Sequence, residues 1–193
     1  LVGEDTISCT VTRAAGEAVG EYAITASGDE VQGNYAVSYV NATFTITKAD
    51  SLTVSGEGYS AVYDGETHGA AATANVTVGT TISYSTDDGA TWSTTAPTIK
   101  DVGSVTVKVK AENNNYETAE NSYTLTVTAK AVTVTAAAKS KTYGEDDPEL
   151  TAIVTGLVGE DTISCTVTRA AGEDVGEYAI TVTGDEAQGN YVV

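Results

Sequence analysis

Apolar and polar residues alternate along this chain in short runs. Thr6-Ile7-Ser8-Cys9-Thr10-Val11-Thr12, Ala42-Thr43-Phe44-Thr45-Ile46-Thr47 and Ser104-Val105-Thr106-Val107-Lys108-Val109-Lys110 each set apolar side chains at every second position, with Thr, Ser or Lys between them. A period of two is that of a half-buried antiparallel strand, one face packed and the other solvated. No stretch carries apolar residues at i, i+3, i+4 and i+7 over three turns, the spacing of an amphipathic helix. The pattern predicts an all-β chain.

The pattern also recurs at a fixed distance. Residues 1–37 return almost unchanged as residues 157–193, an offset of 156 that breaks at five pairs: Ala18/Asp174, Ala26/Val182, Ser27/Thr183, Val31/Ala187 and Ala36/Val192. Self-similarity at such a period marks a tandem array. A weaker repeat lies inside it. Asp174-Val175-Gly176-Glu177-Tyr178-Ala179-Ile180 is echoed by Asp101-Val102-Gly103-Ser104-Val105-Thr106-Val107, and Lys141-Thr142-Tyr143-Gly144-Glu145 by Ala61-Val62-Tyr63-Asp64-Gly65-Glu66. The period therefore predicts two diverged modules of about 78 residues each, alternating as type one and type two.

Their predicted boundaries fall at two Lys-containing junctions. Residues 1–48 read as the back part of a type-one module, 49–130 as a complete type-two module, and 131–193 as a type-one module without its last strand. The absent strand is the counterpart of residues 38–48, Ser-Tyr-Val-Asn-Ala-Thr-Phe-Thr-Ile-Thr-Lys. Both ends are thus expected to be cuts inside modules of a longer repetitive protein. Lys48-Ala49-Asp50 and Ala129-Lys130-Ala131 contain neither Gly nor Pro, which predicts little freedom between neighbours and an extended, stiff rod.

Charge narrows the partners. Nine basic against 27 acidic residues give −18, spread along the chain. Phosphate neutralisation needs clustered Lys and Arg, so nucleic acid is disfavoured. The balance suits a self-repelling soluble surface, or hard cations held by carboxylates. No apolar run reaches membrane-spanning length, so no membrane insertion is expected of this segment. The two cysteines, Cys9 and Cys165, are counterparts in different copies and cannot form an intradomain disulfide. Mid-strand, they are expected as small buried apolar groups.

The type-one segment resembles the YGX-type MBG domain of bacterial surface proteins. The matching residues are Val132-Thr133-Val134-Thr135-Ala136, Lys139-Ser140-Lys141-Thr142-Tyr143-Gly144-Glu145-Asp146-Asp147-Pro148-Glu149-Leu150, Arg169-Ala170-Ala171-Gly172-Glu173-Asp174-Val175-Gly176-Glu177-Tyr178 and Gly189-Asn190-Tyr191. The middle segment resembles related Ig-like modules carrying Tyr-Asp-Gly, here Tyr63-Asp64-Gly65, then His68-Gly69. The resemblance implies tandem Ig-like β-sandwiches, an extracellular or cell-surface setting and no catalysis. Asp174, Gly176 and Tyr178 have the form of a tyrosine corner, in which a Tyr near the start of a late strand bonds back to the preceding turn. The first copy keeps Gly20 and Tyr22 but has Ala18 for the acid, and Val105 replaces the Tyr in the middle module.

Few residues carry candidate chemistry. Ser85-Thr86-Asp87-Asp88-Gly89-Ala90-Thr91-Trp92 fits an Asp-box pattern. It reads as a hairpin in which Asp87 and Asp88 bond the turn, Gly89 takes the positive φ and Trp92 packs behind. Trp92, Tyr84 and Tyr116 are the candidate sugar platform, set against the reading that such aromatics cap the core. Acid pairs such as Glu145-Asp146-Asp147 raise a calcium reading but lack the spacing of an EF-hand loop. His68 has no Cys or carboxylate at ligand spacing and reads as a packed turn residue. No cofactor is implied, and no nucleophile and base pair.

The expected role is a non-catalytic stalk or spacer in a secreted or wall-attached bacterial adhesin-like protein, its partners being neighbouring repeats. One alternative is a module that binds host or matrix glycan or mucin. Another is a head-to-tail fibre or strand swap, in which residues 38–48 of one chain complete 131–193 of the next.

Overall fold

The computed structural model describes residues 1–193, and every regular element in it is a β-strand. The chain is all-β, consistent with Ig-like β-sandwich architecture. Two of the three alternating runs form strands close to the expected ones: Ala42–Ile46, and Gly103–Asn113, which extends past the run. The third is shorter than its pattern. Only Thr10–Arg13 is strand, and all four residues are exposed, because nothing covers either face there.

Contact density divides the chain into two compact units. The first comprises residues 1–54, 73–82 and 110–120. Its sheet has three antiparallel strands in the order Thr10–Arg13, Gly20–Ser27, Ala42–Ile46. Tyr22 lies opposite Phe44, and Ile24 opposite Ala42. Tyr22, Ile24 and Ala26 share one half-buried face, yet no residue from 1 to 48 is fully buried.

The second unit comprises residues 55–72, 83–109 and 121–193. Tyr59–Val62 pairs in parallel with the end of Tyr116–Thr128, the Leu125–Thr128 stretch. Those strands belong to a four-stranded sheet in the order Tyr59–Val62, Tyr116–Thr128, Gly103–Asn113, Thr80–Ser85. A late strand flanked by an earlier one and by its hairpin partner is the C-F-G order of Ig sheets. Val107, Val109 and Ala111 alternate into the core on one strand, and Tyr123, Leu125 and Val127 on the next. Lys108 and Lys110 occupy the opposite face of Gly103–Asn113, where they pair with Asp88 at 2.6 Å and Glu112 at 3.0 Å.

The two type-one copies differ although their sequences match. Gly20–Ser27 is eight residues long; its counterpart is only Ile180–Thr183. Gly176-Glu177-Tyr178-Ala179 repeats Gly20-Glu21-Tyr22-Ala23 exactly in type but lies outside any strand. In the first copy those residues pair with Ala42–Ile46, and in the second no strand lies beside them. A strand's main-chain groups are satisfied by its ladder partner, so losing the partner shortens the strand.

Candidate functional site

The dipeptide Asn-Tyr occurs at Asn34-Tyr35, Asn115-Tyr116 and Asn190-Tyr191. Two of these sites clamp the Lys-Ala junctions. In the first unit, Ala49 lies parallel to Tyr116: its N–H donates to the Asn115 carbonyl at 3.0 Å, and Glu117 N–H donates to the Ala49 carbonyl at 2.7 Å. The side-chain oxygen of Asn115 accepts the N–H of Val19 at 3.0 Å.

The second unit repeats this geometry. Lys130–Ala131 runs parallel to Tyr191–Val192, with Lys130 N–H donating to the Asn190 carbonyl at 3.0 Å and Val132 N–H to the Val192 carbonyl at 2.9 Å. The side-chain oxygen of Asn190 accepts the N–H of Val102 at 2.8 Å, and its amide nitrogen donates to the Asp101 carboxylate at 3.0 Å. Val19 and Val102 hold the same place in the Val-Gly turn. An amide side chain both donates and accepts, so one Asn satisfies a turn N–H and still grips a carboxylate.

A tyrosine pair closes the second clamp. Tyr191 OH donates to the Asp161 carboxylate at 2.6 Å and accepts Val158 N–H at 3.0 Å. Tyr63 OH donates to the same Asp161 oxygen at 3.2 Å, its ring edge-on to Tyr191 with centroids 5.6 Å apart. Both rings are buried, at 6% and 4% exposure. That burial, reinforced by the Asp161 carboxylate, raises both phenol pKa values above their usual range. Gly65 keeps a positive φ of 83°, and a Cβ there would stand 2.7 Å from the Val158 side chain. The first copy builds the same local triad, with Tyr35 OH donating to Asp5 at 2.7 Å and accepting Val2 N–H at 2.7 Å. There Val2 is 76% exposed and no third residue joins.

Each type-one copy also closes its corner within its own turn. Tyr22 OH donates to the Ala18 carbonyl at 2.6 Å and Tyr178 OH to the Asp174 carbonyl at 2.8 Å. The acceptor is main chain, so Ala18 serves as well as Asp174. Gly20 begins the corner strand, whereas Gly176 lies outside any strand. Beneath each ring sits a glycine, Gly16 or Gly172, with φ of 143° and 146°; a Cβ would meet the Tyr ring at 2.1 Å. Gly172→Ala should therefore cost about 1–3 kcal/mol, through strain and displacement of Tyr178. Urea unfolding checks this, and an unchanged midpoint would contradict it.

The Asp-box residues make a tied hairpin. Ser85 Oγ donates to Asp87 at 2.7 Å and accepts Gly89 N–H at 2.8 Å. Thr91 donates to Asp87 through its N–H at 2.9 Å and its hydroxyl at 2.6 Å, and the Trp92 indole N–H donates to the Gly89 carbonyl at 3.0 Å. Asp88 departs from expectation. It takes a positive φ alongside Gly89 and turns its carboxylate to Lys108 instead of the turn. The Ser85 hydroxyl, with the Thr91 hydroxyl and N–H, lowers the Asp87 pKa from 3.8 to about 2. A depressed carboxylate stabilises fully above its unfolded value and loses that contribution as pH falls through the folded one. Fluorescence of Trp92, the single Trp, should hold above pH 3.8 and shift as pH falls towards 2. Asp87→Asn should remove that shift.

Three expectations are corrected. Cys9 and Cys165 are exposed. Each precedes its strand by one residue, where no second layer covers it. His68 does have a carboxylate partner: Nε2 lies 2.9 and 3.0 Å from the two Asp64 oxygens, and the ring stacks on Tyr59 at 4.3 Å. Two main-chain bonds to Ile99, both 2.8 Å, hold His68 there, and the bond to His68 lowers the Asp64 pKa. The sugar platform fails at Tyr84, which is 6% exposed with its hydroxyl accepting Ala72 N–H at 2.9 Å. Trp92 is half-buried in the second unit, and Tyr116 belongs to the first. As for calcium, Asp147 pairs with Lys141 at 2.7 Å and Arg169 at 2.8 Å. No three His, Cys, Asp or Glu side chains gather in metal-holding geometry.

The MBG domain (YGX type) family model matches residues 1–45 and 132–193, more than half of the chain. Domains of this family are non-enzymatic repeats typical of bacterial surface proteins. No curated protein and no solved structure matches the chain. Both matched segments carry the tyrosine corner over its glycine and the Asn-Tyr dipeptide with its Asp partner, and the chain belongs to the MBG domain (YGX type) family.

Proposed function

We propose that this segment is a non-catalytic spacer of a secreted or wall-attached bacterial adhesin-like protein, in which MBG modules alternate with YDG-type Ig-like modules such as residues 49–130. The observation that supports it is the recurrence of one clamp at both junctions, Asn115 with Val19 and Asn190 with Val102. A spacer must transmit position and load, and paired main-chain and side-chain bonds at each joint restrict bending where a free linker would not. The burial of Tyr63 and Tyr191 over Asp161 stiffens the second joint further.

Spin labels at two exposed positions of the second unit, Asp88 and Val175, test this. The distance distribution is expected to be narrow, and Asn190→Ala should broaden it. A broad distribution in the parent chain would remove the spacer reading.

A further inference from the structure

The strand Tyr59–Val62 leads directly into Tyr63-Asp64-Gly65, and this turn meets residues 158–161. The turn is braced from within. Asp64 Oδ1 accepts Glu66 N–H at 2.9 Å, and its two carboxylate oxygens lie 2.9 and 3.0 Å from His68 Nε2. His68 is fixed in its turn, stacked on Tyr59 with 12° between the ring planes and joined to Ile99 by two main-chain bonds. A carboxylate that bonds the main chain two residues on holds a tight turn in one shape.

The weaker internal repeat sets Tyr143 against Tyr63, but the two turns are spaced differently. The MBG turn reads Tyr143-Gly144-Glu145, with its glycine one place after the Tyr instead of two. Both glycines take a left-handed φ, 83° at Gly65 and 88° at Gly144. With the MBG turn at this joint and its Tyr over Asp161, Glu145 would stand where Gly65 does. A Cβ there would lie 2.7 Å from the Val158 side chain, on a backbone that side chains avoid. A second carboxylate would also enter the turn that carries Asp161, whose N–H donates to the Val158 carbonyl at 3.1 Å. The brace would be missing as well, because His68 is the single His of the chain.

We propose that Tyr63-Asp64-Gly65 is a recognition element: the socket of Val158, Asp161 and Tyr191 in an MBG module accepts a preceding module whose turn reads Tyr-x-Gly and rejects one whose turn reads Tyr-Gly. Two contacts select. Tyr63 OH on Asp161 at 3.2 Å, with its ring edge-on to Tyr191, attracts the matching turn. Val158 repels any side chain at the Gly65 position. An attraction paired with a clash discriminates where attraction alone does not. Asp64, His68 and Tyr59 are positioning residues that act through the turn. The alternation of module types then has a cause in a few side chains. This inference rests on the reading of residues 49–130 as a module that alternates with MBG modules.

The full chain and its variants are compared by residue-resolved amide exchange, corrected for intrinsic rates. The amide of residue 158, which donates to Tyr191 OH at 3.0 Å, reports the socket; the buried Leu125 and Val127 report the fold of the middle module. Gly65→Ala should speed exchange at residue 158 by about tenfold or more. In a Val158→Ala background, which makes room for the new Cβ, the same substitution should cost about threefold at most. Deleting Asp64, which converts the turn to Tyr-Gly, should reproduce the tenfold loss at residue 158 while Leu125 stays protected. Where the deletion also exposes Leu125, the Gly65 and Val158 pair decides alone. Equal losses from Gly65→Ala in both backgrounds would reduce its effect to backbone strain and overturn the proposal, as would parental protection at residue 158 after the deletion. Either result beside a narrow spin-label distribution would remove the selection and leave the spacer reading standing.

Discussion

Tyr191→Ala is expected to lower the unfolding free energy by about 3–5 kcal/mol, the range for large buried aromatics, while Tyr35→Ala costs about 1 kcal/mol, the scale of a hydrogen bond at a half-exposed site. The two tyrosines are counterparts at the fixed offset, and each bonds an Asp carboxylate and a Val N–H. Only Tyr191 is enclosed, at 4% exposure, with Tyr63 edge-on and the Asn190 clamp beside it. Truncation there removes a ring from a filled space and leaves Asp161 with one hydroxyl instead of two. Urea unfolding of the two variants checks the difference. Equal losses would mean that the clamp adds nothing to the local triad.

Leu125→Ala should cost about 2–5 kcal/mol, against about 1 kcal/mol for Ile24→Ala. Leu125 is 0% exposed, on a strand that also buries Tyr123 and Val127 and next to the strand that buries Val107 and Val109. Ile24 alternates just as regularly on Gly20–Ser27, but its face is only half-buried and residues 1–48 hold no enclosed side chain. The loss on truncation scales with how completely neighbours surround the removed atoms. Amide exchange offers a second check: protection should concentrate along Gly103–Asn113 and Tyr116–Thr128. Strong protection along Thr10–Arg13 would contradict the picture.

Local rules made much of this legible. Alternation identified Ala42–Ile46 and the long strand from Gly103, because a period of two needs only neighbouring residues. The corner tyrosines and the Asp-box hairpin are equally local, their bonds closing within four residues. The clamps are not. Val19 meets Asn115 across 96 positions, and Val102 meets Asn190 across 88. A recurring Asn-Tyr was visible at three places, but nothing in a dipeptide names a partner so distant. Cys9 and Tyr84 show the same limit in opposite directions. One sits in an apolar alternation and is exposed; the other looks like a surface aromatic and is buried.

The sequence by itself determined the all-β class, the 156-residue repeat, the turn glycines and the family resemblance, since each depends on residue type and spacing alone. Tertiary structure decided the state of each copy. Gly-Glu-Tyr-Ala is strand at residues 20–23 and not at 176–179, and Asn-Tyr is open at 34–35 but enclosed at 190–191. The physical reason is that ladder hydrogen bonds and burial belong to pairs of segments, so identical residues take different states when their partners differ.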